Sequence, residues 1–204
     1  MNDAFRAFVA VEIGDAALDL LTDWLSREAP RFPGFRFVSR ENLHITLQFL
    51  GDVDRARTGP LTDTLRSSVE GFPEFCLGLG EAGSFPERGF PRILHVSVDK
   101  GRDELVGLAG RVRAALASQG FRPDRPFVPH ITLGRARERG GRAHAAGQST
   151  AASFRESFRN FLSSRGDVSV SWRVSRVLLM ESILGRGGPT YIVRGAADLA
   201  SSAP

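Results

Sequence analysis

The stretch that decides the fold reads LHITLQFLG and occupies residues 43–51. Its central tetrapeptide, His-Ile-Thr-Leu, returns at residues 130–133 within the stretch PHITLG. These two copies contain two of the four histidines in the chain. Apolar and polar residues alternate in each copy, and this period of two predicts a β-strand with one buried face. In the first copy the expected buried face carries Ile45, Leu47 and Phe49, and the opposite face carries His44, Thr46 and Gln48.

Each predicted strand presents an imidazole beside a hydroxyl group, a pairing that suits chemistry on a phosphate. Displacement at phosphorus places the attacking and leaving oxygens on opposite sides of the phosphorus atom. Histidine acts as a general base or a general acid near neutral pH, and threonine donates a hydrogen bond to a phosphate oxygen. Two such strands facing one cleft would supply all these groups without a metal ion. Coincidental recurrence of two ordinary strand histidines explains the pattern less well, because the repeat includes the polar positions.

With their flanking residues, the two copies resemble the two-histidine phosphoesterase superfamily. The resemblance is closest to its bacterial RNA 2′,3′-cyclic phosphodiesterases, long called 2′-5′ RNA ligases. It extends over nearly the whole chain, from residue 6 to residue 191. The matching segments are RAFVAV at 6–11, NLHITLQFLG at 42–51, PFVPHITLGR at 126–135, ESIL at 181–184 and GPTY at 188–191.

This resemblance implies hydrolysis of RNA 2′,3′-cyclic phosphate ends to 2′-phosphomonoesters, with no metal ion or other cofactor. It also implies that His44 is the proton donor and that His130 is the proton acceptor. Thr46 and Thr132 are then expected to bind the phosphate oxygens of the substrate. The residues by themselves do not determine which histidine is the donor and which is the acceptor.

The order of strand-like and helix-like segments, together with the resemblance, predicts an α+β fold. We expect two pseudo-symmetric lobes, each a mainly antiparallel sheet backed by helices, with one motif strand per lobe facing a central cleft. We further expect residues 1–194 to form a single two-lobed domain. Residues 195–204, which are rich in Ala and Ser, are expected to be a disordered tail.

Two further residues near the motifs are weaker candidates. Arg135 follows the second motif, but simple alternation places it on the face opposite His130 unless Gly134 permits a β-bulge, so we leave it out of the predicted site. His95 lies in the predicted strand ILHVSV, where relatives commonly carry an aromatic residue, and a partly exposed strand histidine is favoured over a base-stacking role. No third His, Asp or Glu lies at ligand spacing beside either motif, so we expect no metal site.

Composition narrows the expected partners and location. The 204 residues carry a net charge of +4, a mild bias that favours a polyanionic partner, although the near-exclusive use of arginine could instead reflect genomic base composition. A single cysteine excludes an intrachain disulfide, and neither a signal peptide nor a membrane span is recognisable. We therefore expect a cytoplasmic monomer, with no membrane partner, that acts on RNA ends or cyclic nucleotides.

Other functions remain open from the sequence. The same site could run in reverse and join RNA ends through a 2′-5′ linkage, or it could act on a small cyclic nucleotide. The protein could also be a non-catalytic module that binds RNA ends. A paired acid and base argue against pure binding, which needs only hydrogen-bond donors.

Overall fold

The computed structural model describes residues 3–137, 147–166, 169–185 and 188–201. Nine strands and four α-helices occur in this part of the chain, joined in places by short 3₁₀ turns. The strands are β1 (Ala4–Val11), β2 (Phe35–Phe37), β3 (Ile45–Asp54), β4 (Phe75–Phe85), β5 (Ile93–Val98), β6 (His130–Ala136), β7 (Ser171–Val174), β8 (Arg176–Gly185) and β9 (Gly188–Asp198). The helices are α1 (Asp15–Glu28), α2 (Thr58–Val69), α3 (Arg102–Ser118) and α4 (Gly147–Ser163).

The strands form two antiparallel sheets, which confirms the expected α+β architecture. The first sheet has the order β3-β1-β8-β9, and the second has the order β2-β6-β5-β4-β7. Each sheet contains one motif strand, β3 in the first and β6 in the second, and these two strands contact each other. The lobes are not consecutive halves of the chain, because the first sheet combines the strands nearest both termini.

The four helices divide between the sheets and enclose the hydrophobic core. Helix α2 packs on β8 and β9 with α3 beside it, whereas α1 and α4 pack against β7 and β4. A run of phenylalanines at helical spacing in α4 predicts a buried face, and Phe154, Phe158 and Phe161 do lie in the core. Phe154 and Phe158 meet the buried ring of Trp24 in α1 edge to face, with ring centroids 5.3 Å and 5.9 Å away.

The motif strand β3 follows the predicted alternation only as far as Leu47. Its pairing with β1 slips there, so that Thr46 is opposite Ala10 and Gln48 is opposite Val9. Gln48 is consequently buried on the core side, where its side-chain amide donates to the Phe121 carbonyl. A β-bulge places two residues of one strand opposite one of its partner, and the faces of the residues that follow exchange, here until a second irregularity beside Leu50. The expectation that Gln48 shares the face of His44 is therefore wrong.

The same β-bulge overturns the expected burial of Phe49. Opposite residues in an antiparallel pair share a face, and Phe49 is opposite Phe8. Its ring is 61% exposed and lies 5.9 Å from the ring of Phe8. Phe49 thus lies on the His44 face of the sheet.

The expectation of a disordered tail from residue 195 is wrong for the described residues 195–201. Strand β9 continues to Asp198, and the backbone of Ala200 then exchanges hydrogen bonds with Phe72 and Glu74. Leu199 is only 6% exposed and belongs to the core. Ala and Ser composition suggested disorder, but one buried leucine and two backbone hydrogen bonds hold this segment. Residues 202–204 lie outside the described part of the chain.

Within the described residues, none of the helices is both long and apolar enough to span a lipid bilayer.

The order of the C-terminal segment can be tested by shortening Leu199. We expect Leu199→Ala to lower the free energy of unfolding by about 2 kcal/mol, because it removes buried methyl groups and leaves a cavity. For a chain of this size the melting temperature should fall by about 4–8 °C. Thermal unfolding followed by circular dichroism measures this change. Ser201→Ala, at an exposed position two residues later, is the control, and equal melting temperatures for the two variants would contradict the assignment.

Candidate active site

The first motif histidine is held by the backbone just before its own strand. The Nδ1 atom of His44 lies 2.8 Å from the carbonyl oxygen of Asn42. A carbonyl only accepts hydrogen bonds, so Nδ1–H is the donor, and the neutral ring must carry its lone pair on Nε2. The Asn42 side chain donates in turn to the Pro189 carbonyl at 2.7 Å, which ties the start of β3 to the start of β9.

Aromatic rings and a hydroxyl complete the surroundings of His44. The Thr46 hydroxyl lies 2.9 Å from Nε2, so it donates to the neutral imidazole. Tyr191 meets the His44 ring edge to face at 5.1 Å, and Phe8 lies 4.9 Å away. The imidazole of His44 therefore contacts the rings of Phe8 and Tyr191 and the Thr46 hydroxyl, and these contacts restrict its orientation.

The second motif repeats this arrangement of backbone and imidazole. The Nδ1–H group of His130 donates to the carbonyl of Val128 at 2.7 Å, again two residues earlier in the chain. The repeat in sequence is thus also a repeat in hydrogen bonding, and both histidines have the same neutral tautomer. Among the described residues, no protein group bonds to Nε2 of His130, in contrast to Nε2 of His44. Thr132, two residues along, shares the His130 face of β6.

Burial changes the protonation of both imidazoles. Loss of solvation is the main cause that lowers the pKa of His44 from 6.5 to about 4; the hydrogen bond to Asn42 opposes this shift, and the charges of Arg135 and His130 add to it. Burial also lowers the pKa of His130, with Arg135 again contributing. His44 and His130 are therefore close enough to influence each other, and both are neutral near pH 7 in the free protein.

Arg135 joins the site because the second motif contains the same β-bulge as the first. In the pairing of β6 with β5, Thr132 is opposite His95 and Gly134 is opposite Leu94, so Leu133 is the extra residue. Arg135 is then opposite Ile93, and it shares a face with His130 and Thr132. Its exclusion on simple alternation is wrong.

The repeated tetrapeptide was the sequence feature that pointed to this β-bulge. The leucine of His-Ile-Thr-Leu is the extra residue in both strands, Leu47 in β3 and Leu133 in β6. The residue five positions after each histidine therefore returns to the histidine face. That residue is Phe49 in the first motif and Arg135 in the second.

His95 is more deeply placed than its sequence context suggested. It is only 8% exposed and stacks on Phe85 with ring centroids 4.2 Å apart. It also meets His130 edge to face at 5.4 Å. Burial, reinforced by His130, lowers the pKa of His95 to about 4. The imidazole of His95 fits because residue 83 on β4 is glycine. A Cβ atom at that position would lie only 2.7 Å from the Cε1 atom of His95.

Two cavities flank the histidines. One of about 390 Å³ lies beside His44 and is lined mainly by apolar side chains, with Tyr191 and Met180 among them. The other, of about 460 Å³, lies beside His95 and Pro129 and carries several charged residues. Within the described part of the chain, no group of three or more His, Cys, Asp or Glu residues is arranged to hold a metal ion.

The structure thus brings two imidazoles of the same tautomer, one from the motif strand of each antiparallel sheet, under the influence of one guanidinium. Residues 16–185 match the family model described as the 2′-5′ RNA ligase superfamily, and the chain belongs to this superfamily.

Curated relatives agree with this membership. The chain is 36% identical over 167 residues to an RNA 2′,3′-cyclic phosphodiesterase of Aeropyrum pernix, covering 81% of this chain and 86% of the relative. It is 29% identical to the enzyme of the same name from Methanothermobacter thermautotrophicus, covering 91% of this chain and 94% of the relative.

Among solved structures, the fold is similar to that of a Thermus thermophilus protein, with a TM-score of 0.74 and 24% identity over 97% of this chain and all of the other. It is also similar to Escherichia coli LigT complexed with 3′-AMP, with a TM-score of 0.69 and 25% identity over 96% of this chain and 98% of that one.

The lowered histidine pKa values predict a dependence of stability on pH. The unfolded chain binds protons on its histidines near pH 6.5, whereas folded His44 and His95 bind them only near pH 4. Stability that is fully present above pH 6.5 should therefore decrease as the pH falls through this window. Urea unfolding at about pH 7 and about pH 5 measures the difference. The decrease should be smaller in His44→Gln, and an unchanged decrease would contradict the assigned burial of this imidazole.

Proposed function

We propose that this protein is an RNA 2′,3′-cyclic phosphodiesterase that hydrolyses cyclic ends to 2′-phosphomonoesters. The observation that carries the proposal is the pair of imidazoles, His44 and His130, each fixed in one tautomer and both under the influence of the Arg135 charge. Curated relatives that match most of the chain bear the name of this activity, which supports it.

His130 is proposed as the general base. Its Nδ1–H group is occupied by the Val128 carbonyl, so Nε2 offers a lone pair. A lowered pKa keeps this ring neutral near pH 7, the form that can accept a proton. A water molecule that gives its proton to Nε2 attacks the phosphorus, and a new phosphorus–oxygen bond forms.

His44 is proposed as the general acid. It protonates the 3′ oxygen as the bond between that oxygen and phosphorus breaks, which leaves the phosphate on the 2′ oxygen. With a pKa of about 4, His44 is mostly neutral in the free protein near pH 7. The single negative charge of a cyclic phosphodiester favours the charged imidazolium and raises this pKa when substrate binds. Substrate binding therefore prepares the acid.

Thr46, Thr132 and Arg135 are proposed to hold the phosphate oxygens. When His44 is protonated, Nε2–H becomes a donor, and the Thr46 hydroxyl is released to donate to a phosphate oxygen. Arg135 adds a charged donor on the same face, where negative charge develops in the transition state. These groups complete the site with side chains of one chain.

We further propose that the enzyme works as a metal-independent monomer in the cytoplasm. A single chain supplies both histidines and both threonines, which supports action as a monomer. Its lone cysteine, Cys76, is unpaired, in keeping with a reducing compartment.

The experiment that tests the function is hydrolysis of an RNA ending in a 2′,3′-cyclic phosphate, in the presence of EDTA. We expect the wild-type protein to release only 2′-phosphomonoester ends. His44→Ala and His130→Ala should each lower kcat by about 10²–10⁴-fold, because each removes one proton transfer. Thr46→Ala and Thr132→Ala should each cost only about 2- to 10-fold, the effect of one neutral hydrogen bond.

Circular dichroism must show that each variant remains folded. Near-normal kcat in His130→Ala would refute the paired-histidine mechanism. Loss of wild-type turnover in EDTA that a divalent ion restores would refute metal independence.

Arg135 can be tested separately from the histidines. Arg135→Gln should lower kcat/KM by roughly 10- to 100-fold, because a charged hydrogen bond to the phosphate is removed. The same change should raise the pKa values of His44 and His130, since it removes a nearby cation. NMR titration of the imidazole protons measures that shift, and Arg27→Gln, on the exposed surface of α1, is the control. Unchanged imidazole pKa values would contradict the position assigned to Arg135.

A further inference from the structure

The larger of the two cavities has a strongly basic lining. It has a volume of about 460 Å³, and Arg88, Arg102 and Arg155 all contribute to its wall. They come from separate parts of the fold, the loop between β4 and β5, the first turn of α3, and α4. Among the described residues that line it, Glu87 is the one acidic side chain. Three distant segments of the chain thus bring cations to one space.

Several arginines elsewhere on the surface are held by carboxylates, whereas in the described part of the chain these three are not. Arg40 pairs with Asp19, and Arg176 binds both carboxylate oxygens of Glu12. Within the described residues, Arg88, Arg102 and Arg155 have neither an ion pair nor a hydrogen bond to the rest of the chain. Like charges that converge without carboxylate partners repel one another and attract polyanions. Their convergence is therefore better explained by an anionic ligand than by stabilisation of the fold.

His95 supplies an independent sign of a ligand site. It lines the same cavity, only 8% of its surface is exposed, and its Nδ1 has no hydrogen-bond partner among the described residues. Burial of an unpaired polar atom costs free energy, so a histidine at such a position calls for an explanation beyond packing. Because His95 also meets the His130 ring, it joins the cavity to the catalytic cleft.

The chemistry of an RNA end matches this arrangement. Three groups leave the terminal ribose in different directions: the base from C1′, the cyclic phosphate from the 2′ and 3′ oxygens, and the rest of the chain from the 5′ oxygen. The histidine pair takes the cyclic phosphate, and the apolar cavity beside His44 suits a base. The basic cavity is therefore available for the third group, the rest of the RNA chain attached through the 5′ oxygen.

We propose that the cavity lined by Arg88, Arg102 and Arg155 binds the phosphodiester backbone of the RNA chain that carries the cyclic end. This inference rests on the proposed function and defines its substrate class. An oligonucleotide fills the cavity, whereas a nucleoside 2′,3′-cyclic phosphate has no backbone to place there. The enzyme therefore prefers RNA chains to mononucleotides.

The test compares two substrates in variants of the cavity. Hydrolysis of cytidine 2′,3′-cyclic phosphate and of a tetranucleotide with the same cyclic end is measured for Arg102→Gln, Arg155→Gln and the double variant. For the tetranucleotide, each single change should raise KM about 2- to 10-fold, as expected for one exposed ionic interaction, with kcat nearly unchanged. The slope of log KM against log salt concentration should fall by about 0.7 for each phosphate that the variant no longer neutralises. Cytidine cyclic phosphate should be hydrolysed as by wild type.

Matched controls exclude a general loss of charge or of fold. Arg66→Gln removes an exposed arginine from α2, away from the cavity lining, and should leave both substrates unaffected. Arg102 is the first residue of α3, where a cation opposes the helix dipole, so its replacement by glutamine does not weaken the helix.

Each outcome decides the proposal. Equal losses of activity on both substrates, or losses on neither, would overturn it. If the variants lost only the ability to join a second RNA strand, the cavity would bind that second strand. The proposal that it binds the strand carrying the cyclic end would then be overturned.

If the wild-type protein hydrolyses neither substrate, the proposed function fails by itself. Fluorescence anisotropy with a labelled 3′-hydroxyl tetranucleotide then tests the cavity alone. Weaker binding by the double variant would support the cavity as a backbone site, and equal affinity would rule it out.

Discussion

The site depends on one interaction made twice, the hydrogen bond from the Nδ1–H group of each motif histidine to the carbonyl two residues before it. Asn42 and Val128 supply these carbonyls, and neither side chain is part of the repeated tetrapeptide. A carbonyl cannot donate, so this bond selects one tautomer and directs the Nε2 lone pair away from the backbone. This constraint gives both imidazoles defined proton positions, which the proposed acid and base require. The other polar groups of the site act on imidazoles that are already oriented.

The second constraint is electrostatic. Two imidazoles, His95 and the Arg135 guanidinium share a partly buried region, and each added cation disfavours protonation of the others. The free site therefore keeps its histidines neutral while Arg135 remains positive. An anionic substrate reverses this balance, because its charge offsets Arg135 and stabilises an imidazolium. In the proposed mechanism, recognition of the phosphate and activation of the acid are then the same event.

The fold delivers these groups through the arrangement of its sheets. Strand β1 lies between β3 and β8, so segments near both termini support the first motif strand, and Tyr191 from β9 reaches the His44 ring. The second motif strand lies between β2 and β5, where His95 and Phe85 surround His130. The two imidazoles thus have different neighbours despite identical backbone anchors. Different neighbours suit the two different roles proposed for these imidazoles.

The α+β class followed from the sequence together with its family resemblance, whereas the sequence by itself determined the two motif strands and the shared face of each histidine with its threonine. Those features are local, since a period of two and a repeated tetrapeptide express them directly. Tertiary structure alone decided that Arg135 faces the histidines and that Gln48 enters the core, because β-bulges at Leu47 and Leu133 exchange the faces of the residues that follow. It also decided that residues 195–201 are ordered, since the space for Leu199 is made by distant segments of the chain. The alternation along one strand does not show where the neighbouring strand leaves a residue unpaired. Only the pairing of the strands in the folded protein places the β-bulges.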